Sequence, residues 1–361
     1  MSKKYNVAVV GATGAVGHEM VNMLTSRKFP INELRLFASA RSLGKKMKAV
    51  GKQIQVEELN KENVSKLKGK VDVALFSAGG SISKEYAKLF TEQGIFVIDN
   101  SSAWRMDPEV PLVVPEVNSH ALNANSKLIA NPNCSTIQMV VVLAPLHKVS
   151  RIKRIIVSTY QSTSGAGGRA MQQLYDESKA VINNLSKFDS VIDVTPVDYK
   201  LKEGVVNRVL PYQIAYNLIP QIDMFTENLY TKEEMKMVNE TRKILEDSQI
   251  QVSATCVRVP ILRAHSETVW IELEKKISLQ EVNRLLSGAP GVTVVDDPLN
   301  KKYPMPVDCA NEQMTYVGRI REDISSSGNG LTMWIVSDNL LKGAALNAVE
   351  IAEALIKKQV I

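Results

Sequence analysis

The sequence predicts a two-domain α/β protein, with a doubly wound parallel sheet first and an α+β part built on a mixed sheet after it. Three observations carry this. The chain has 361 residues, where one domain takes ~100–200. Its first hundred residues alternate β-branched runs with helical spacing, the pattern of parallel strands joined by crossover helices. After Cys134 that regular alternation stops, and from Val252 onward strand-like runs follow one another with a single helix among them.

Tyr5–Val10 reads as the first strand and ends in the glycine turn Gly11-Ala12-Thr13-Gly14-Ala15-Val16-Gly17. Val16, Met20, Met23 and Leu24, at 3–4 spacing, predict the helix behind it. Strands follow at Leu34–Ala38, Val71–Phe76 and Ile95–Asp99, with a helix over Ser83–Thr91. An apolar helix, Ile137–His147, leads into a strand at Ile152–Tyr160. A polar helix starts after Ser164-Gly165-Ala166-Gly167-Gly168, and Ser186–Gln221, with Pro196, Pro211 and Pro220, is irregular. Thr231–Leu245 is helical. Strands at Val252–Val259, Glu267–Leu273, Thr315–Arg321 and Leu331–Val336, around a helix at Leu279–Leu286, predict a largely antiparallel sheet. The last helix, Leu340–Lys358, is small and apolar over much of its surface and is expected to return to the first domain.

Composition narrows the function. Apolar residues are 45% and charged residues 23%, an ordinary globular balance and not a disordered one. Aromatics at 6% disfavour a protein that stacks bases or sugars. Cys134, Cys256 and Cys309 are too few for a disulfide framework, and no C-x-x-C pair exists to hold zinc, so no metal is expected. A reducing, cytoplasmic setting is the natural expectation. The net charge of +6 is diffuse. Its densest stretch, Arg41 to Lys52, is broken by Gly44 and Gly51 and lacks an aromatic, so small anions suit it better than nucleic acid. No apolar run reaches the ~18–20 residues of a membrane span.

Three motifs carry chemistry. The glycine turn follows a strand and opens a helix, so backbone N–H groups can face a pyrophosphate, as in a Rossmann-type dinucleotide-binding domain. An NAD site is expected to end its second strand in an acid that holds the ribose. Here that place holds Arg41 and Ser42, which suit a 2′-phosphate and hence NADP. Cys134 stands in Asn131-Pro132-Asn133-Cys134-Ser135-Thr136, just before an apolar helix whose N-terminus is expected to lower its pKa and make it a nucleophile. His265 lies among Arg258, Arg263 and Glu267 in what reads as a loop between strands, where it could serve that cysteine as general acid–base. Cys256 reads as structural, Cys309 has no supporting context, and His18, His120 and His147 carry no motif.

These residues resemble the aspartate-semialdehyde dehydrogenases, bacterial type, over essentially the whole chain. The matching runs are Val9–Gly17, Phe76–Gly80, Asn131–Thr136, Ser158–Gly167, Arg258–Glu267 and Ser337–Ala345, six motifs in order. The resemblance implies Cys134 as nucleophile, His265 as acid–base catalyst and Gln161 as the residue orienting substrate or acyl-enzyme. It implies Arg258 on the substrate carboxylate, Glu233 on the amine with Glu234 as the alternative, and Arg105 and Lys236 on phosphate. Gly11, Thr13, Gly14, Ala15, Val16, Arg41, Ser42, Ser164, Gly165 and Asn339 would meet NADP.

The implied reaction is the NADPH-dependent reductive dephosphorylation of L-aspartyl 4-phosphate to L-aspartate 4-semialdehyde through a cysteine thioester, on the way to lysine, threonine and methionine. Residues 1–133 with 340–361 would form the NADP-binding domain, and 134–339 the catalytic and dimerisation domain of a homodimer or dimer of dimers. Alternatives are a related acyl-phosphate reductase such as N-acetyl-glutamyl-phosphate reductase, a glyceraldehyde-3-phosphate dehydrogenase, or a non-catalytic NADP-sensing module.

Overall fold

The computed structural model describes residues 3–361. Strand β1 (Tyr5–Val10) sends alternate side chains to opposite faces, as the two-residue strand period requires. Val7 and Val9 join one core and Ala8 and Val10 another. Both faces are therefore apolar, and β1 lies at the centre of its sheet. Around it come β2 (Ile31–Ala38), β3 (Lys46–Ala49), β4 (Lys52–Glu58), β5 (Val73–Phe76), β6 (Phe96–Asp99) and β7 (Leu128–Ala130). Their order is β3-β4-β2-β1-β5-β6-β7, parallel except for the β3–β4 hairpin.

Helices cover both faces. Ala15–Ser26 and the C-terminal helix Leu346–Lys357 pack on the Val7/Val9 side, and Gly80–Glu92 packs on the other through Ala87 and Phe90. The return of the last helix is as expected, but it is not continuous. Leu341–Ala345 forms a π-helical turn before the α-helix begins, a wider turn of the kind that often marks functional sites. The basic stretch continues past the 3₁₀ turn Ala40–Ser42 that carries Arg41. It folds into the β3–β4 hairpin, whose turn holds Val50 at φ 50° and Gly51 at φ 74°. A β-branched residue is a poor signal for left-handed backbone, which hid the turn.

The second sheet holds β8 (Ile152–Gln161), β9 (Gln251–Arg258), β10 (His265–Leu273), β11 (Val292–Val294), β12 (Thr315–Glu322) and β13 (Gly330–Ser337), in the order β11-β12-β13-β10-β8-β9. It is mixed, since β8–β9 and β11–β12 pair in parallel and the other pairs antiparallel. Helices Cys134–Val149 and Leu279–Ser287 cover one face and bury Ile155, Val157, Val269, Ile271, Met333 and Ile335. Cys134–Val149 is buried nearly all round, as a helix apolar on every side must be. The opposite face is more open. Ile156 is 45% exposed there, and Trp270 and Trp334 are half-buried. Among the described residues no helix is long and apolar enough to cross a membrane.

Candidate active site

Strand β7 ends at Ala130, and Asn131-Pro132-Asn133 carries the chain straight into the next helix at the carboxyl edge of the parallel sheet, where doubly wound folds bind ligands. Asn133 caps that helix. Its Oδ1 accepts from the Ser135 and Thr136 N–H groups at 3.1 and 3.2 Å. Cys134 is therefore the first helical residue rather than one that precedes the helix. A cavity of about 230 Å³ opens over it, lined also by Arg105, Gln161, Glu233, Lys236, Arg258, Val16, Ser164, Gly165 and Asn339.

Neighbouring strand ends set two of these side chains. Gln161 closes β8 and Arg258 closes β9, directly opposite in the parallel register. Arg258 Nη1 donates to the Ser162 carbonyl at 2.7 Å. Glu233 gathers three donors: Asn133 Nδ2 at 2.9 Å and Gln161 Nε2 at 3.2 Å on Oε1, and Lys236 Nζ at 3.0 Å on Oε2. Burial pushes its carboxyl up, but Lys236, Asn133 and Gln161 overcome this and hold it down to about 2. Glu234 is engaged elsewhere. It forms a capping box with Thr231 and accepts from the Cys256 N–H at 2.9 Å. Of the two acids, Glu233 faces the cavity.

His265 departs from expectation. It is not on a solvated loop but is the first residue of β10, fully buried and paired with Ser337. Strand pairing on both sides of a polar run did what local composition could not announce. Ala264 before it adopts φ 71° and donates its N–H to Asn339 Oδ1 at 3.1 Å, a left-handed conformation that costs a residue with a Cβ roughly 1–2 kcal/mol. Gly165 shields the ring. A Cβ there would stand 3.0 Å from His265 Nε2 and 2.9 Å from Arg258 Nη1, so a larger residue would have to displace one or both of these side chains.

The Nδ1 atom of His265 lies 3.0 Å from both the Ser162 N–H and the Ser162 Oγ. If Nδ1 accepts from the N–H, the neutral ring carries its proton on Nε2 and is an acid there. If the ring proton is on Nδ1 and is donated to Oγ, which in turn donates to Asn339 Oδ1 at 3.2 Å, Nε2 is free to act as a base. Burial, and after it the charge of Arg258, lower the ring to about 3, so it is neutral near pH 7.

The thiol of Cys134 also departs from expectation. Half-buried by surface area, it is hemmed in by the cavity walls. Burial and then Glu233 push it up to about 12, against Arg105 and Arg258, which pull it down. The helix N-terminus does not by itself produce a thiolate here. Cys256, buried beside Met237, is held protonated by burial as well.

A second cavity, of about 510 Å³, is lined by Gly11, Thr13, Gly14, Ser39, Arg41, Ser77, Glu85 and Tyr86, among others. The helix Ala15–Ser26 beside it has Gly14 as N-cap, with no side-chain acceptor and no acid in its first turn. Its first amides thus fit an external pyrophosphate. Arg41 lines the cavity and is exposed, whereas Ser42 is buried with its Oγ 3.4 Å from Thr13 Oγ1. Ala15 lines neither cavity. Asn339, expected on the cofactor, lines the first cavity and accepts from Ser162, Ser164 and Ala264.

Sequence reasoning missed Asn100, Ser102 and Gly343, which also line the first cavity. A Cβ at Gly343 would come within 2.8 Å of the Cys134 Cβ. The Ser337–Ala345 motif was visible, but only the π-helical turn brings it against the thiol.

Comparison with known proteins bears on all of this. The family described as semialdehyde dehydrogenase, NAD binding domain, matches residues 6–125, and its dimerisation domain matches 143–342. The aspartate-semialdehyde dehydrogenase of Aquifex aeolicus is 51% identical over 359 residues, 99% of each chain. That of Bacillus subtilis is 48% identical over 358 residues, again 99% of each. In fold, the chain is similar to aspartate semialdehyde dehydrogenase II from Vibrio cholerae complexed with ASA, with a TM-score of 0.87 and 42% identity over 99% of both chains. Agreement on this scale, in sequence and fold together, leaves one conclusion: the chain is an oxidoreductase that works with a nicotinamide dinucleotide and belongs to the aspartate-semialdehyde dehydrogenase family.

Proposed function

We propose that the chain reduces L-aspartyl 4-phosphate to L-aspartate 4-semialdehyde with NADPH, through a thioester on Cys134, and so serves lysine, threonine and methionine synthesis. The observation that carries this is one cavity in which a thiol on the first residue of a helix meets Arg258, Glu233, Arg105 and Lys236. Such a set complements an amino acid with a phosphorylated side chain. The guanidinium of Arg258 suits a carboxylate bidentately, Glu233 suits an ammonium, and Arg105 and Lys236 suit phosphate. Gln161, donating to Glu233, orients the acyl group.

Charge pairing would ready the site. A substrate carboxylate on Arg258 offsets the cation that, after burial, holds His265 down. An ammonium on Glu233 offsets the anion that, after burial, holds the thiol up. With its own proton on Nδ1, His265 takes the Cys134 proton on Nε2, the thiolate attacks the acyl carbon, and phosphate leaves as the C–O bond breaks. NADPH, when bound, supplies the hydride that the thioester carbon needs. The C–S bond then breaks as the oxygen re-forms its carbonyl, and the proton that His265 has held returns to the departing Cys134 sulfur.

Residues 1–133 with 340–361 hold NADP in this reading, and 134–339 carry catalysis and self-association. The family's dimerisation domain and the open face of the second sheet, with Ile156, Trp270 and Trp334, support a homodimer or dimer of dimers, and a cytoplasmic setting belongs to the same reading. The direct test is NADP reduction by aspartate semialdehyde with phosphate present. No reduction, or equal reduction with N-acetyl-glutamate semialdehyde, overturns the substrate assignment.

Cofactor choice has its own test. A charge-assisted guanidinium contact to the 2′-phosphate is expected to make Arg41→Ala weaken NADP relative to NAD by about ten- to a hundredfold. NAD, which lacks that phosphate, should hardly change. Measured kcat/KM for both cofactors decides it, and an equal loss for the two would reduce Arg41 to one more solvated cation.

A further inference from the structure

The helix Lys232–Ile244 sends a second acid inward. Glu240, seven residues after Glu233 and so on the same helix face, is 1% exposed and does not line the cavity. Its carboxylate is divided between two donors from different parts of the chain. Oε1 accepts from Arg105 Nη1 at 3.0 Å, and Oε2 accepts from the backbone N–H of Asn133 at 2.7 Å. Burial leaves its carboxyl above the ordinary value, against the downward pull of Arg105 and of the Asn133 N–H.

Each partner has a place in the site. Arg105 lines the cavity, and its Nη2 donates to the Asn100 carbonyl at 2.9 Å. Its buried Nε has no acceptor among the described residues. Asn133 caps the Cys134 helix and also holds Glu233. One carboxylate therefore joins a cavity-lining cation to the residue that sets the first turn under the thiol. A neutral isostere cannot do the same. Both partners donate, and a glutamine has one acceptor oxygen and an NH₂ that would face a donor.

We propose that Glu240 is a positioning residue that holds Arg105 and the Asn133 N–H in one register and thereby couples anion binding at Arg105 to the Cys134 thiol. This rests on the reading of Arg105 as a phosphate ligand.

The test uses the purified full-length protein, Glu240→Gln, Arg105→Ala and the double variant. In the NADP-reducing direction, Glu240→Gln should raise KM for phosphate about ten- to a hundredfold and leave KM for aspartate semialdehyde within about threefold. The inorganic phosphate that half-protects Cys134 from iodoacetamide should rise by the same factor. In the Arg105→Ala background Glu240→Gln should add less than about threefold to KM for phosphate, as coupled neighbours do. Unchanged KM and half-protection with only a lower kcat or melting temperature would overturn the proposal, as would additive effects. If Glu240→Gln shows no cooperative melting, Glu240→Asp, which keeps the charge on a shorter arm, is read in the same way. Absence of phosphate-dependent turnover in the wild type would defeat the proposed reaction. The iodoacetamide measurement would then still decide for or against Glu240.

Discussion

Cys134→Ser is expected to fold, bind NADP and lose nearly all turnover, about 10³-fold or more. The thiol is already held protonated by burial and Glu233, so the mechanism needs both a base and a good nucleophile once the proton has gone. A serine hydroxyl fails on both counts, since its proton is far harder to remove and the resulting ester is a poorer acyl carrier. Cys256→Ser and Cys309→Ser should keep substantial activity, because both residues are buried away from the cavity. Steady-state rates of the three variants suffice. Retention of more than a few per cent by Cys134→Ser, or loss of activity on labelling of Cys256, would move the nucleophile elsewhere.

His265→Asn should lower kcat by roughly 10²–10⁴-fold, the worth of a positioned acid–base group, with much less change in KM. A large rise in KM at unchanged kcat would make His265 a binding residue instead. The same variant has a signature in stability. In the folded protein His265 is held down to about 3, against 6.5 for an ordinary histidine. The unfolded chain therefore binds a proton that the native state refuses. This depressed pKa contributes stability above about pH 6.5, which is lost as the pH falls from there toward 3. Without the imidazole, the melting temperature should fall less steeply across that window. Parallel curves for variant and wild type would mean that His265 is not held neutral.

Much of the site was legible from residue order because its parts lie in short local motifs. The glycine turn, Asn131–Thr136 and Arg258–Glu267 each place a chemical group within a few residues of a turn or strand end, and local backbone preference is strong there. Glu233 against Glu234 was not legible, since adjacent acids differ only in which way a helix turns them. One faces Lys236 and Gln161, and the other caps its own helix. Strands β3, β4, β7 and β11 were not legible either, because the polar run KQIQVEE of β4 and the three or four residues of the others do not stand out as the apolar runs of β5 and β6 do.

The sequence by itself determined the alternation of strands and helices, the glycine turn after the first strand, the absence of an acid after β2, and which cysteine and histidine stand as candidates for the proposed chemistry. Only the tertiary structure decided the environment of those groups. It made His265 a buried strand residue, raised the Cys134 thiol against the pull of its helix, curled Leu341–Ala345 into a π-turn beside it, and joined Arg105 to Asn133 through Glu240. The reason is physical. Pattern and turn chemistry act between near neighbours in the chain, whereas desolvation and the field at an ionisable group are set by whatever distant segments pack around it.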